Sequence, residues 1–445
     1  MNADRHELPA NGPAGKARAR ALASLVALEA TPTSLVTYQS HGLLAVIGPE
    51  EAALGAVRAL AGRLPATVLV PGASRPDPGS SEGVVVVRGG VPEVSGRLGR
   101  FSVNLGTPEG PVALVEAAGL AAEHFDLVLD LSETPLVDYE IPPVGYYAPR
   151  GDAKALERAL AELPEMSGEF EKPKYFNFKP ELCAHSRSEL VGCTRCIDAC
   201  PTVAIAPAGE VVTVDPYLCQ GAGSCVAACP TGAMTYAFPT VSDLLTRVRG
   251  LLDAFREAGG EQPAILLHDG WTGRDVRDKL AAGMPEDVLP LEVEEVGSVG
   301  MDAWLAALAY GARGVVICHT SRTPRRMTRE LEAQVGFARG LLGGMGFAPG
   351  LLVLLDTDQA DAAAAAWEGM PAAGVARPAR FVAPDDKRGI LRLAIDHLHR
   401  HAPTARKAVE LPVGAPFGEV RVDKAACTLC MGCVSVCPAA ALTAG

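Results

Sequence analysis

A short cysteine pattern occurs three times in this chain and limits how those parts of it can fold. Each copy contains two cysteines separated by three residues, followed by a proline and then small and apolar residues. The copies are CIDACPTVAI (196–205), CVAACPTGAM (225–234) and CVSVCPAAAL (433–442). All cysteines except Cys318 fall in two windows, 183–229 and 427–437. Thiols clustered in a long chain favour metal binding, whereas disulfide frameworks are typical of small secreted chains.

The last copy is complete and has the spacing of a bacterial ferredoxin motif. It reads Cys427-x2-Cys430-x2-Cys433-x3-Cys437-Pro438. In such a run three thiolates bind one iron–sulfur cubane and the fourth binds a neighbouring cluster. Zinc sites more often use separated CxxC pairs without the Cys-Pro end, so the repeats favour iron–sulfur over zinc. No second motif follows this copy, which leaves three alternatives: a longer chain, another subunit, or Cys437 bound to its own cluster.

The first two copies depart from this pattern. The leading cysteine of the first copy is replaced by Leu190, so we expect Cys183 to ligate from a lengthened loop. The second cysteine of the second copy is replaced by Ala222. Crossed ligation then predicts two clusters. Cluster A takes Cys183, Cys193, Cys196 and Cys229, and cluster B takes Cys200, Cys219 and Cys225.

The alanine in the second copy affects the expected type of cluster B. Because Ala222 cannot bind iron, one corner of this cluster lacks a protein thiolate. We expect a [3Fe–4S] core there, and the alternative is a [4Fe–4S] cluster whose open iron binds water, hydroxide or a partner's ligand. The cysteines of cluster A are expected to hold a [4Fe–4S] cluster, and so are Cys427, Cys430, Cys433 and Cys437 of the C-terminal motif.

The remaining sequence alternates strand-like and helical runs. Residues 204–218 predict a hairpin between the two halves of a dicluster ferredoxin, and 49–64 predict a helix. Strand-like runs in the first 170 residues are SLVTYQS, LLAVIG, ATVLV, VVVVRG and FDLVLDL. The fold class is therefore α/β multidomain, with mainly parallel sheets plus ferredoxin-like (α+β) iron–sulfur modules. The predicted domains are 1–170, α/β; 171–240, dicluster ferredoxin-like; 241–405, α/β; and 406–445, a C-terminal ferredoxin-like motif whose completeness depends on the three alternatives above.

Residues 241–405 show the cleanest alternation, typical of a parallel doubly wound sheet. The predicted helices are about 241–258, 273–282, 301–312 and 323–342, and the strands are 264–269, 288–296, 314–320 and 351–356. Such sheets place function at the carboxyl ends of strands, where Cys318, His319 and Thr320 fall. The residues that follow bring Arg322, Arg325 and Arg326 to a helix N-terminus. A functional Cys318 and a buried, inert Cys318 both fit this pattern.

The segment YGARGVVICHTSRTPRRMTRELEAQVGFARGLLGGMGF (310–347) resembles the delta subunit of methyl-viologen-reducing hydrogenases. Together with the ferredoxin motifs, the chain is similar to the large ferredoxin-type proteins that accompany bacterial formate dehydrogenases. The resemblance implies electron relay between a catalytic subunit, of a formate dehydrogenase or a hydrogenase, and another carrier. The delta-type domain normally holds a [2Fe–2S] cluster on further cysteines, but here only Cys318 is present.

Composition excludes several other functions. The net charge of −12 disfavours binding to nucleic acid or to an anionic membrane surface. No run is long and apolar enough to span a membrane, and we expect a cytoplasmic protein. No hydrolase or phosphate-loop motif occurs. We interpret the chain as an electron-transfer component of an oxidoreductase rather than a stand-alone enzyme. Two alternatives remain: an oxidoreductase subunit with a flavin or substrate site near Cys318 and Arg325, and an iron–sulfur regulatory or assembly factor.

Overall fold

The computed structural model describes residues 8, 10–25, 31, 33–187, 190–270, 279–281, 283–359, 361–404, 406–418, 420–437 and 442. Within these ranges the strands form one eight-stranded, one four-stranded and four two-stranded sheets. Helices accompany both larger sheets. The α/β nature of the chain is therefore confirmed, whereas the predicted domain limits stay predictions.

The first region contains the eight-stranded sheet and its helices. Its elements are α1 (Pro13–Ser24), β1 (Leu35–Ser40), β2 (Leu44–Ile47), α2 (Glu50–Ala59), β3 (Ala66–Val70), β4 (Gly72–Ser81), β5 (Val84–Arg97), β6 (Arg100–Gly106), β7 (Val112–Ala113), α3 (Leu114–Ala117), β8 (Leu127–Asp130), β9 (Tyr146–Tyr147), α4 (Ala153–Glu162) and β10 (Gly168–Pro173). β1 and β10 form a separate antiparallel pair.

The eight-stranded sheet is mixed, and its antiparallel part was not predicted. Strands β5, β3, β2, β8 and β9 are neighbours in that order and run parallel. In contrast, β4, β5, β6 and β7 pair antiparallel. The physical reason is the length of the connections, since short turns permit only antiparallel pairing. Glu82 and Gly83, both with positive φ, form the two-residue turn between β4 and β5.

Apolar side chains cover both faces of this sheet. One face buries Val46, Val68 and Leu129 under α2 and α4. The other buries Ile47 and Leu69 with aromatic and aliphatic residues of β6 and α3. A sheet buried on both faces explains why its parallel strands are continuous apolar runs in the sequence.

The cysteine-rich module follows. Its elements are β11 (Phe176–Phe178), β12 (Ser186–Arg187), β13 (Leu190–Val191), α5 (Arg195–Ala199), β14 (Ile205–Ala208), β15 (Val211–Val214), α6 (Ser224–Ala228) and β16 (Met234–Tyr236). β14 and β15 form the predicted hairpin, with Ile205 opposite Val214 and Gly209 in the turn at φ 66°. β11 and β16 pair antiparallel, which joins the beginning of the module to its end.

The second α/β region has a four-stranded sheet in the order β18-β17-β19-β20, with every pair parallel. This confirms the predicted parallel sheet of residues 241–405. The predicted helix at 273–282 lies largely outside the described residues. The elements are α7 (Val241–Glu257), β17 (Ala264–Asp269), β18 (Val288–Val293), α8 (Met301–Ala309), β19 (Val315–His319), α9 (Arg325–Gly344), β20 (Leu352–Asp356), α10 (Ala362–Glu368), α11 (Lys387–Arg400) and, in the C-terminal motif, α12 (Gly432–Val436).

Helix α1 packs on this second region, although it comes first in the chain. Ala17 and Ala21 lie in the same hydrophobic core as α7, α8 and α9. The Nη1 atom of Arg18 donates to the Pro285 carbonyl at 2.9 Å, and the Gly12 amide donates to the Glu286 carboxylate at 2.9 Å. The polypeptide therefore returns to its own N-terminal segment after the cysteine-rich module.

Candidate metal centres

The three cysteine repeats share one local structure. Each contains a helix of five residues, α5, α6 or α12, that ends immediately before the cysteine of the Cys-Pro pair. Those cysteines, Cys200, Cys229 and Cys437, have extended backbone conformations. A following proline disfavours the helical conformation of the residue before it. The Cys-Pro pair therefore stops each helix and turns its last cysteine away from the helix.

The four cysteines predicted for cluster A lie around one cavity. Cys183, Cys193, Cys196 and Cys229 line it together with His185, Met234 and further mainly apolar groups. Cys229 comes from the second repeat, whereas Cys193 and Cys196 come from the first. The structure thus brings together residues from both repeats, as the crossed scheme requires.

Cys183 reaches this cavity although nine residues separate it from Cys193. It follows a single helical turn, Pro180–Leu182, at the end of β11. β12 and β13 then pair and return the chain. The amides of Gly192 and Cys193 both donate to the His185 carbonyl, at 2.6 and 3.3 Å. This short hairpin closes the long loop and places Cys183 beside the first repeat.

The thiols around the cavity affect one another's ionisation. Burial, together with the charges of Cys229, Cys193 and Cys183, raises the pKa of Cys196 to about 12. Burial acts in the same direction on Cys229, but the amide of Met234, the ammonium of Lys387 and the Thr231 hydroxyl outweigh it, so the pKa of Cys229 is lowered. The Met234 amide donates to the Cys229 sulfur at 3.4 Å. Iron bound in the cavity would supply the positive charge that such clustered thiolates need.

The cysteines predicted for cluster B form a second group. Burial raises the pKa of Cys225 strongly. The charges of Cys219 and Cys200 have the next largest effects and raise this pKa as well. The Cys200 sulfur lies 3.3 Å from the Thr202 hydroxyl. The three thiols are thus close enough to interact electrostatically, and they again combine both repeats.

Ala222 is buried where the second repeat lacks a cysteine. It belongs to the hydrophobic core of the second α/β region, together with Val296 and Met327. The loop around it has positive φ at Gly221, 81°, and at Gly223, 73°. A Cβ atom on Gly223 would lie 2.4 Å from the Cα atom of Ser298. The position at which the second repeat lacks a cysteine is therefore packed against protein.

The C-terminal motif has the same loop conformation but a different environment. Leu429 and Met431 have φ values of 55° and 59°, at the positions equivalent to Gly221 and Gly223. Cys427, Cys430 and Cys433 are exposed, and Cys437 is half-buried. The Gly432 amide and the Thr428 hydroxyl lower the pKa of Cys430. The loop has the conformation of the second repeat, but three of its four cysteines are exposed. Pro438 lies outside the described residues.

Cys318 stands apart from all the other cysteines. It is buried near the end of β19, and burial and the charge of Asp269 raise its pKa. Two of the nearby arginines have different surroundings. Arg325 lines an open pocket at the carboxyl edge of the sheet. Arg326 instead donates from Nη1 to the Cys200 carbonyl at 3.1 Å. One of the three arginines predicted for that edge therefore contacts the cysteine-rich module.

Two lysines that contact the cysteine-rich module were not predicted from the sequence. Lys172 of β10 donates to the Tyr217 carbonyl at 3.0 Å and to that of Cys219. Lys387 of α11 donates to the carbonyls of Val226 and Ala227 at 2.8 and 2.7 Å. No sequence signal distinguishes these lysines from solvated ones, since their partners are main-chain atoms of a distant segment.

The described residues contain neither a single-metal site nor a membrane-spanning helix. No three His, Cys, Asp or Glu side chains in this part of the chain are grouped as a single metal ion would require. The cluster A cysteines surround a cavity instead, as ligands on separate irons of a multi-iron core would. No helix in the described ranges is long and apolar enough to cross a membrane.

Comparison with known proteins identifies the cysteine-rich segments. A family model described as a 4Fe-4S dicluster domain matches residues 189–233, and one described as a 4Fe-4S binding domain matches residues 419–442. These matches confirm the prediction of iron–sulfur, ferredoxin-type domains. Cys183 and Cys318 lie outside both matches. Comparison with curated proteins gives no match. The similarity to hydrogenase delta subunits and to the ferredoxin-type proteins of formate dehydrogenases gains no support from these comparisons.

Proposed function

We propose that this protein is an iron–sulfur electron-transfer component that relays single electrons between a redox enzyme and another carrier. The observation that carries the proposal is the cavity lined by Cys183, Cys193, Cys196 and Cys229, which combines both repeats. Four thiols around one mainly apolar cavity suit a [4Fe–4S] core. Such a cluster, when bound, supplies reversible one-electron chemistry.

The protein's own groups would hold and tune that chemistry. The cysteines of both repeats bind the clusters, and amides such as that of Met234 donate to their sulfurs. Burial of the module limits access of water, and hydrogen bonds to sulfur stabilise negative charge on the cluster. Cys200, Cys219 and Cys225 would hold cluster B as a [3Fe–4S] core, or as a [4Fe–4S] core with a non-cysteine fourth ligand. No described residue needs to act as a catalytic base.

Paired cysteine variants test the crossed ligation. Cys196→Ser and Cys229→Ser should each remove the same signal in EPR spectra recorded before and after dithionite reduction. Cys200→Ser should remove a different one. Cys318→Ser is the matched control, because Cys318 is buried but lies apart from the module, and its spectrum should equal that of the wild type. If Cys196→Ser and Cys229→Ser affect different signals, the crossed assignment is wrong.

The redox partner is also part of the proposal. We infer a cytoplasmic partner subunit of the formate dehydrogenase or hydrogenase type, as the sequence resemblance suggests. Anaerobic mixing with a purified formate dehydrogenase or hydrogenase and its substrate should reduce the clusters at a rate matching enzyme turnover. A rate far below turnover for both enzymes would favour the alternative of a regulatory or assembly factor.

The open pocket beside β19 favours a second candidate function. It has a volume of about 350 Å³ and lies at the carboxyl edge of a parallel sheet, where such folds bind ligands. His319 and Thr320 line it together with Arg325 and Arg329 of α9. This site would make the chain an oxidoreductase subunit that binds a flavin or a substrate. The optical spectrum of the purified protein tests the flavin, whose resolved bands iron–sulfur clusters lack.

A further inference from the structure

Each of the two cysteine groups has one lysine beside it, and each lysine comes from a different flanking region. Lys387 begins α11 of the second α/β region, and its two hydrogen bonds reach the last turn of α6, next to Cys229. Lys172 lies in β10, before the module, and donates to the carbonyl of Cys219. Cys229 is one of the cysteines predicted for cluster A, and Cys219 is one of those predicted for cluster B.

Neither lysine forms a direct ion pair with a carboxylate of the described residues. Lys387 is only 7% exposed, and Lys172 is half-buried. Within the described ranges neither ammonium has a carboxylate within 4 Å, and both donate to main-chain carbonyls. Burial of an ammonium without an opposite charge is costly. A negatively charged group near each lysine would offset that cost.

The thiolates supply such a charge. The ammonium of Lys387 acts electrostatically on Cys229, and that of Lys172 acts on Cys219. Asp215 and Arg97 also act on Lys172, with opposite signs. Lys387 likewise acts on the carboxyl group of Glu330 as well as on Cys229. A thiolate-bound iron–sulfur core carries net negative charge that grows by one unit when it accepts an electron. A fixed positive charge nearby therefore stabilises the reduced form more than the oxidised form.

Packing holds both ammonium groups in place. A Cβ atom on Gly232, just after the Cys229-Pro230 pair, would lie 3.1 Å from the Cβ atom of Lys387. The Lys172 ammonium lies 5.1 Å from the centre of the Tyr38 ring, and the Tyr38 hydroxyl donates to the same Tyr217 carbonyl at 2.6 Å. Neither lysine is a freely rotating surface side chain.

We propose that Lys387 and Lys172 are positioning residues that set the reduction potentials of clusters A and B, one lysine for each cluster. This inference rests on the proposed electron-transfer function. It makes the two flanking regions part of the redox centre, since each contributes the counter-charge for one cluster. The relay would then depend on the docking of the module between them.

Potentiometric EPR titration of lysine variants tests the inference. Lys387→Met removes the charge and keeps the apolar stem, and it should lower the midpoint potential of cluster A alone. Lys172→Met should lower that of cluster B alone. Lys387→Arg keeps the charge and should stay near the wild-type potential. Arg388→Met is the matched control, because Arg388 is the next residue of α11 but is exposed.

The outcomes separate this inference from the proposed function. If the wild type binds no clusters, the electron-transfer function itself fails. If the clusters are intact by iron content in all variants and the potentials do not move, only the lysine inference is overturned. Should Lys387→Met lose cluster A, Lys387→Gln keeps a donor for the two carbonyls and removes the charge. An unchanged potential in that variant also overturns the inference.

Discussion

Substitution of Gly223 by alanine should damage cluster B by disturbing the contact between the module and the second α/β region. Gly223 has a φ of 73°, and a Cβ atom there would lie 2.4 Å from both the Cα and the Cβ atoms of Ser298. The left-handed backbone costs an alanine about 1–2 kcal/mol. Relief of the overlap adds about 1–3 kcal/mol, because backbone atoms must shift. We therefore expect a total loss of about 2–5 kcal/mol.

A second glycine in the same module separates these two contributions. Gly209 in the β14–β15 turn has a φ of 66°, and nothing lies within 4 Å of a Cβ atom there. Gly209→Ala should therefore cost only the backbone term of about 1–2 kcal/mol. The assay is the anaerobic urea midpoint for loss of cluster absorbance, together with EPR. Gly223→Ala should lower the midpoint more than Gly209→Ala and should weaken the cluster B signal first. Equal midpoints for the two variants would refute the proposed packing at Ser298.

Three further predictions concern single side chains. Ala222→Cys should complete the ligand set of cluster B and replace an oxidised [3Fe–4S] EPR signal with a reducible [4Fe–4S] centre; a wild-type protein without that oxidised signal would contradict the three-iron assignment. Cys183→Ser should convert or bleach cluster A, and an unchanged cluster would transfer the role to His185 or to solvent. The amides of Gly12 and Gly15 lower the pKa of Glu286, so its stabilisation of α1 is present at neutral pH and is lost as the pH falls through that lowered pKa. Glu286→Gln should therefore increase proteolysis within α1 at neutral pH, and equal cleavage of wild type and variant there would contradict this role.

The predictable part of the site is local in sequence. The three Cys-x3-Cys-Pro repeats indicated iron–sulfur ligands, because ligand spacing is a property of a short segment. The hairpin at 205–214 followed in the same way from alternating side chains around a turn. The parallel sheet of 241–405 was predictable because buried strands of such sheets are continuous apolar runs.

Other features depend on contacts between distant segments. The antiparallel strands β4 to β7 were not predicted, since pairing direction depends on connections as well as on apolar patterns. The docking of α1 on the second α/β region also has no local signal. Arg326 appeared to belong to the sheet edge in sequence, but its side chain reaches the Cys200 carbonyl instead.

The sequence by itself determined that this chain carries iron–sulfur motifs, because ligand spacing is a property of a short segment and needs no knowledge of the rest of the fold. Only the tertiary structure decided which thiols share a cavity, how Cys183 reaches it, and that Ala222 is packed against protein. It also decided which cations lie beside each group, since Lys172 and Lys387 contact main-chain carbonyls that any residue could provide. Ligand identity is encoded locally, whereas burial and nearby charge depend on how the separate regions pack.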